Sequence, residues 1–347
     1  MLKRTYLRLV EMQEEQARQH LEEVRSIHNE MRGYKHDFHH HLQALKGQLE
    51  AGQVDRAIAY LEQLDRSLQT VDTLLKTGNV TVDAILSAKL AQARAAGIDV
   101  TMAQYPYTAG STFLHVVIPP WYHSRGVDGL LRALREERGA IKHDLDTRMD
   151  WENFSQSVGW EKIFVSSVAS EANQPCVGKS ISQIAAERGH ADAADAAFDL
   201  LVEEQLAVGM ISFGLDEADI TAIMRHPAVS FITDGLMSGR PHPRAYATYP
   251  RILGRYVREQ GVLSLEEAVR KMTSLPARKI RLRNKGVIAE GYDADLVVFD
   301  PDTVIDRNSY DDPRVHPAGI RHVLVNGVFV VEDAALTGAR PGRVIRD

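Results

Sequence analysis

The hydrophobic pattern of this chain changes near residue 97, and this change limits the possible folds more than any other feature. Before it, apolar residues alternate at spacings of four and three from Ala17 to Leu49, interrupted only by His28 and Lys35, which is the heptad pattern of a helix packed against other helices. After it, short apolar runs alternate with helical segments and glycine- and proline-rich turns, which is typical of α/β folds. One fold cannot satisfy both patterns, so the sequence predicts a multidomain protein.

A short turn at Gly52 and Gln53 separates the first helical pattern from a second one, which runs from Val54 to Leu75. The short connection makes the two predicted helices antiparallel neighbours. A helical hairpin buries little apolar surface alone, so two copies are expected to pair into a four-helix bundle. Residues 1–76 are therefore predicted to form a coiled-coil-type hairpin that makes the protein a homodimer.

His36 and Asp37 flank the heptad seam of the first predicted helix, within GYKHDFHHHLQAL. A neutral imidazole near its ordinary pKa is a competent nucleophile toward a phosphoryl group, and the adjacent carboxylate can orient it and accept its proton. Two other interpretations stay open. One is a solvated, histidine-rich helix face, and the other is metal binding by His36 and His40, one helical turn apart.

The segment KHDFHHHLQAL, the hairpin and TGNVTVDAILSAKLAQARAAGI occur in that order between residues 20 and 98. Together they resemble the dimerisation and phosphotransfer region of a quorum-sensing or sporulation-type sensor histidine kinase. The resemblance implies that His36 is a phosphoacceptor with Asp37 as its partner. The ATP-binding motifs of that family do not follow Ile98. The alternative function is thus a dimeric signalling protein that a separate kinase ATP-binding domain phosphorylates in trans.

Six motifs after residue 97 occur in a fixed order. They are YPYTAGSTFL from Tyr105, IPPWY from Ile118, ITDGLMSGRPHPRAYATYPRILGRYVRE from Ile232, LEEAVRKMTSLPARKI from Leu265, KGVIAEGYDADLVVFDPDTVID from Lys285, and GIRHVLVNGVFVV with TGARPGRVIR after them. Together they resemble the D-aminoacylase branch of the amidohydrolase superfamily, the N-acyl-D-amino-acid deacylases. The resemblance implies hydrolysis of the amide bond of a small-molecule N-acyl-D-amino acid.

The same resemblance implies roles for three residues. Asp234 matches the carboxylate after the last barrel strand, which activates water and contacts the family's zinc ion; without the motif it would be a turn residue before glycine. Tyr105 matches a tyrosine associated with the substrate carboxylate. Arg244 is a second candidate anchor, because a guanidinium binds a carboxylate through two hydrogen bonds. The alternatives for Tyr105 and Arg244 are a packed aromatic and a surface ion-pair partner.

The resemblance implies a (β/α)₈ barrel and a flanking β-sandwich, and an alternating pattern with an Asn-Gly turn between Gly286 and Val331 fits the sandwich. The predicted divisions are a phosphotransfer-like helical hairpin at 1–76, a junction at 77–100, a truncated amidohydrolase barrel at 101–284 and a β-sandwich portion at 285–347.

The family's other metal ligands lie on early strands, which should precede YPYTAG. No His-x-His motif occurs between Leu75 and the last residue, and the run His39–His41 fans out over different faces of a helix. One carboxylate does not hold zinc at useful affinity, so the chain alone is predicted to be inactive as a hydrolase. Three origins stay open: a chimera of two genes, a fused protein that complements another copy or fragment, and a phosphotransfer module carrying a deacylase remnant.

Charge and cysteine content exclude several classes of partner and compartment. Charged residues make up 25% of the chain and the net charge is −6, so we expect neither nucleic acid nor an anionic membrane as a partner. Cys176 is the only cysteine, which excludes an internal disulfide and fits a reducing compartment. With no apolar run long enough to cross a bilayer and no signal-peptide core, the protein is expected to be cytoplasmic.

Overall fold

The chain divides into two units, Met1–Thr73 and Leu74–Asp347. A computed structural model describes residues 96–148, 150–237 and 239–345, together with the single positions 58, 90 and 93. The predicted helical hairpin lies outside the described residues, apart from the single position 58. The architecture below is that of the second unit.

Strands and helices follow one another irregularly through the described residues. The strands are β1 (Met102–Gln104), β2 (Gly110–Phe113), β3 (Ile163–Ser167), β4 (Gly209–Ser212), β5 (Val229–Phe231), β6 (Leu296–Phe299), β7 (Ile320–Val325), β8 (Val328–Glu332) and β9 (Ala335–Leu336). The helices are α1 (Pro120–His123), α2 (Gly126–Glu136), α3 (Arg138–Thr147), α4 (Phe154–Ser157), α5 (Ile181–Arg188), α6 (Ala193–Glu203), α7 (Glu217–Arg225), α8 (Arg244–Arg251), α9 (Leu265–Met272) and α10 (Ser274–Lys279), with a π-helix at Ile252–Glu259 that continues α8. Within the described part of the chain, no helix is both long and apolar enough to cross a lipid bilayer.

A three-stranded antiparallel sheet, in the order β2-β4-β3, contributes to the first hydrophobic core. All four residues of its central strand β4 are buried, and Thr112 and Val165 both lie opposite Met210. The amphipathic helices α2 and α6 supply large side chains to this core, among them Leu134 and Phe198. Because each of these helices buries an apolar face, the sheet and the two helices share one hydrophobic core.

The second hydrophobic core surrounds the parallel strands β1 and β5, in which Ala103 lies opposite Ser230. Helices α7 and α9 and the π-helix cover these strands, as parallel strands require. Lys271 of α9 is fully buried, and its ammonium group donates hydrogen bonds to the carbonyl oxygens of Met224 and His226. Lys271 thereby ties the end of α7, which leads into β5, to α9.

The described residues form no closed barrel. The described residues between 101 and 284 contain one parallel pair, β1 with β5, and the chain between these strands builds the separate three-stranded antiparallel sheet and its helices. The sequence pattern did not predict this antiparallel sheet and its helices. Two cores, rather than one continuous barrel interior, therefore organise this part of the chain.

The described residues from 285 to 345 contain one four-stranded antiparallel sheet in the order β6-β7-β8-β9. Asn326 and Gly327 join β7 to β8 with φ values of +49° and +77°, as the Asn-Gly pair predicts for a tight hairpin. The predicted β-sandwich is not confirmed, because the described residues of this segment supply one sheet and not the second. Apolar side chains such as Val297 and Phe329 consequently stay exposed.

Candidate active site

Asp234 lies three residues after β5, on a loop that starts at the edge of the parallel pair. Its φ is +46°, a left-handed conformation that aspartate tolerates better than most residues and that is common at functional sites. Gly235 follows because a Cβ there would lie 2.9 Å from the Cα of Ala245. The loop is therefore pressed against α8, and the carboxylate of Asp234 points outward with 58% of its side chain exposed.

Arg244 is the first residue of α8 and is 1% exposed. Its Nη2 lies 2.9 Å from Oδ2 of Asp234 and donates a 2.9 Å hydrogen bond to the carbonyl oxygen of Ser111. Its guanidinium carbon lies 4.2 Å from the ring centroid of Tyr105, which is a cation–π contact. The structure thus brings together the three residues that the sequence singled out in the second unit.

Tyr105 lies in the segment between β1 and β2, and its ring covers the guanidinium group of Arg244. Burial raises the pKa of its hydroxyl, and the positive charge of Arg244 opposes this effect without cancelling it. The hydroxyl is therefore protonated at neutral pH and can donate a hydrogen bond to an anion. A Cβ on Gly110 would lie 3.5 Å from this hydroxyl, which is van der Waals contact distance. Glycine at this position therefore keeps the space beside the hydroxyl open.

His242 is a site residue that the sequence reasoning missed, although it belongs to the same His-Pro-Arg motif as Arg244. It is fully buried, its Nδ1 accepts the backbone N–H of Arg244 at 3.0 Å, and its Nε2 lies 3.0 Å from the carbonyl oxygen of Ala109. Nε2 therefore carries the ring hydrogen and donates it. Burial, reinforced by the charge of Arg244, lowers the pKa of His242 to about 3, so the ring is neutral and fixes Arg244 against the segment that carries Tyr105.

A second layer behind the site was also missed. Arg251 donates a 2.9 Å hydrogen bond to the carbonyl oxygen of Pro106, pairs with Asp306 at 2.9 Å and lies over the ring of Tyr107. Tyr310 in turn packs edge-on against His242. These contacts join three segments that are far apart in the sequence. The aromatic residues of the YPY motif were the only local indication in the sequence that this packing would occur.

The described residues do not fit a zinc ion by themselves. Among them, no group of three or more histidine, cysteine, aspartate or glutamate side chains is arranged to hold a metal. Asp234 is engaged with Arg244, and both ring nitrogens of His242 have protein partners. The other predicted site residues, His36 and Asp37 with the neighbouring His40, lie outside the described residues.

Two family models match this chain. Residues 177–331 match the Amidohydrolase family, and residues 16–77 match the Sensor kinase SpoOB-type, alpha-helical domain. The two resemblances read from the sequence are confirmed, and their order along the chain is the predicted one.

Individual relatives agree with the first of these matches. An N-acyl-D-glutamate deacylase from Alcaligenes xylosoxydans xylosoxydans is 39% identical over 260 residues, which cover 75% of this chain and 44% of the relative. A D-aminoacylase from the same organism is 43% identical over 169 residues, covering 48% of this chain and 34% of the relative. The crystal structure of an N-acyl-D-glutamate deacylase from Bordetella bronchiseptica, solved with zinc and a phosphonate inhibitor, superposes with a TM-score of 0.59 at 32% identity and covers 78% of this chain and 47% of its own. This chain spans less than half the length of each of these proteins.

Proposed function

We propose that this chain, with an amidohydrolase segment at residues 177–331, carries the proton-transfer and substrate-binding part of an N-acyl-D-amino-acid deacylase site. The substrate class would be small N-acyl-D-amino acids, whose amide bond is hydrolysed. The observation that carries the proposal is that Arg244 contacts both Asp234, through an ion pair, and Tyr105, through a cation–π contact. These residues come from two segments separated by more than a hundred positions, so local sequence does not force them together.

The proposed catalytic group is the carboxylate of Asp234. It would accept a proton from the attacking water and return it to the leaving amine, for which a solvent-exposed carboxylate beside the scissile bond is suited. The ion pair with Arg244 orients this carboxylate, and His242 fixes the backbone of Arg244 in turn.

The proposed anchors for the substrate carboxylate are Tyr105 and Arg244. The hydroxyl of Tyr105 is the more accessible donor, because Arg244 is covered and shares its Nη2 between Asp234 and the carbonyl of Ser111. Arg244 would contact the substrate when the substrate carboxylate takes over part of its ion pair with Asp234. Bidentate binding of this kind is what guanidinium groups favour.

The metal ligands of such a site would have to come from outside the described residues. The Bordetella bronchiseptica structure contains zinc, whereas the described residues of this chain include no group of three or more histidine, cysteine, aspartate or glutamate side chains that could hold a metal ion. We propose that β1 and β5 are strands of a truncated barrel at 101–284. Along the chain, the other proposed divisions are a helical hairpin at 1–76, a junction at 77–100 and a portion of a flanking β-sandwich at 285–347. A second protein fragment would then complete both the barrel and the metal site.

The test measures release of D-glutamate from N-acetyl-D-glutamate with zinc present. The chain alone is expected to be inactive. Co-expression with the N-terminal half of the N-acyl-D-glutamate deacylase from Alcaligenes xylosoxydans xylosoxydans is expected to restore release of D-glutamate. In the restored sample Asp234→Asn should abolish release, whereas the exposed control Glu203→Gln should keep it, and N-acetyl-L-glutamate should not react. Zinc-dependent release by the chain alone that is lost in Asp234→Asn would overturn the predicted inactivity. Restored release that survives in Asp234→Asn would overturn the site.

A second candidate function is phosphotransfer through His36. The observation that favours it is the SpoOB-type match at residues 16–77, which contains His36 and Asp37. A ring nitrogen of His36 would attack the γ-phosphorus of ATP bound to a separate kinase domain, forming a P–N bond as the P–O bond to ADP breaks, and Asp37 would take the imidazole proton. Labelled ATP should mark the chain only when such a domain is added, and His36→Gln should not be marked. Label without the added domain, or label that persists in the variant, would show that the donor or the acceptor is wrong.

A further inference from the structure

A cleft of about 690 Å³ lies between the end of α10 and the C-terminal segment, away from Asp234 in sequence and built by different residues. Four cationic side chains, one carboxylate, one amide and four apolar side chains line it. They are Ile280, Arg281, Leu282, Arg283, Asn284, Lys285, Asp293, Arg343, Val344 and Ile345. A cleft of this volume is large enough for a small organic molecule.

The charges in the cleft are unbalanced. Asp293 pairs with Lys285 at 3.0 Å and with Arg343 at 2.9 Å, and Lys285 also contacts Asp295. Arg281 and Arg283 make no ion pair with any described residue. The cleft therefore keeps positive charge in a chain whose net charge is −6, and two guanidinium groups in it are free to bind an anion.

Arg281 occupies a backbone position that favours glycine. Its φ is +60°, and it is the residue after the C-cap of α10 in a Schellman motif, since its N–H bonds to the Arg278 carbonyl at 3.1 Å and the Leu282 N–H bonds to the Ala277 carbonyl at 2.8 Å. A bulky residue is strained there. Leu206 has a similar φ of +69°, but its side chain packs against the first core, which accounts for it. The side chain of Arg281 is exposed, so no core packing accounts for a bulky residue at this position.

We propose that this cleft binds the phosphate group of a small organic phosphate. Arg281 and Arg283 would hold the phosphate oxygens, because guanidinium groups match phosphate geometry with paired hydrogen bonds. The exposed apolar side chains of Ile280, Val344 and Ile345 would contact the organic part of the ligand. The site is independent of the hydrolase proposal and uses none of its residues.

Thermal unfolding of the full chain tests the proposal with phenyl phosphate as the probe, inorganic phosphate as the phosphate-only arm and benzoate as the carboxylate arm. Phenyl phosphate at millimolar concentration is expected to raise Tm by several degrees, inorganic phosphate by less and benzoate not at all. Arg281→Gly should raise Tm without ligand by about 2 °C, because glycine relieves the left-handed strain, and should abolish the phenyl phosphate shift.

The matched control is Ala334→Gly, which relieves a similar φ of +65° in an exposed turn outside the cleft. It should raise Tm similarly and keep the full phenyl phosphate shift. Arg283→Gln is a second variant, expected to reduce the shift without changing the backbone. No shift in the wild type, or a full shift in both arginine variants, would overturn the site. Equal shifts from inorganic phosphate and phenyl phosphate would overturn the organic part of the ligand.

Discussion

Replacing Glu204 is expected to destabilise the first hydrophobic core, because this carboxylate holds the loop after β3 through four hydrogen bonds. Glu204 follows α6 and is 4% exposed. It accepts hydrogen bonds from the backbone N–H groups of Ala169 at 2.6 Å and Ser170 at 3.0 Å, from Nδ2 of Asn173 at 2.7 Å, and from the Ser170 hydroxyl. Every bond runs from a neutral donor to one buried charge.

The expected magnitude follows from these contacts. A single hydrogen bond to a charged group contributes about 1.5–3 kcal/mol, but the four bonds share one desolvated carboxylate and do not add. We expect Glu204→Ala to lower the free energy of unfolding by about 3–5 kcal/mol, as for other losses from buried charged networks. Glu204→Gln should cost at least about 2 kcal/mol, because its amide nitrogen meets donors rather than acceptors.

The same residue predicts a pH dependence. Burial alone would raise the pKa of Glu204, but the hydrogen bonds outweigh burial and lower the pKa below its ordinary value of 4.5. The folded state therefore releases the proton more readily than the unfolded state does. The resulting stability is fully present above pH 4.5 and is lost as the pH falls through the lower, folded-state pKa. Glu204→Gln should lack this part of the pH dependence.

Urea unfolding followed by tryptophan fluorescence is a suitable assay, since Trp121, Trp151 and Trp160 all pack against this core. Glu203→Gln is the matched control, because Glu203 is exposed and its 3.1 Å ion pair with Arg188 is worth less than about 1 kcal/mol. A Glu204→Ala variant as stable as the control at pH 7 would refute the argument.

Three further predictions concern other parts of the chain. His242→Ala should lower the free energy of unfolding by about 2–4 kcal/mol. Because the pKa of His242 is lowered to about 3, wild-type stability should be lost as the pH falls from 6.5 toward 3, and urea unfolding across this range should show no such loss in the variant. Asp306→Asn should cost about 3 kcal/mol by leaving the charge of Arg251 unpaired, which the same assay measures; a cost below 1 kcal/mol would count against the buried pair. Residues 1–76 should sediment as a dimer at micromolar concentration and as a monomer after Leu42→Asp, since burying a leucine is worth about 2 kcal/mol; a wild-type monomer would contradict the bundle.

The sequence predicted those features that depend on local chemistry or on motif order. The Asn326–Gly327 turn required two residues with positive φ, which this pair adopts more readily than others. The proximity of Tyr105, Arg244 and Asp234 was expected from the resemblance, and their geometry is consistent with it. Motif order carries this information because it reflects a common fold rather than a local preference.

Features that depend on tertiary packing were not predicted. Strand β2 pairs with β4 about a hundred residues later, and nothing in the short segments Gly110–Phe113 and Gly209–Ser212 specifies that partner. The burial of His242 is likewise a property of the aromatic rings that surround it. Single-sequence periodicity reports which face of an element is apolar, not what covers it.

The bond from Arg251 to the Pro106 carbonyl and its pairing with Asp306 set a limit on how far the chain can be shortened. The three residues proposed to act on the substrate, Tyr105, Asp234 and Arg244, all precede the end of α8. A version of the protein trimmed after α8 would therefore still contain them. Such a trimmed protein would lose Asp306 and Tyr310, leaving a buried guanidinium without its carboxylate beside the segment that carries Tyr105. A minimal version of the site therefore extends to residue 310, and expression boundaries for crystallisation or directed evolution should be placed beyond it.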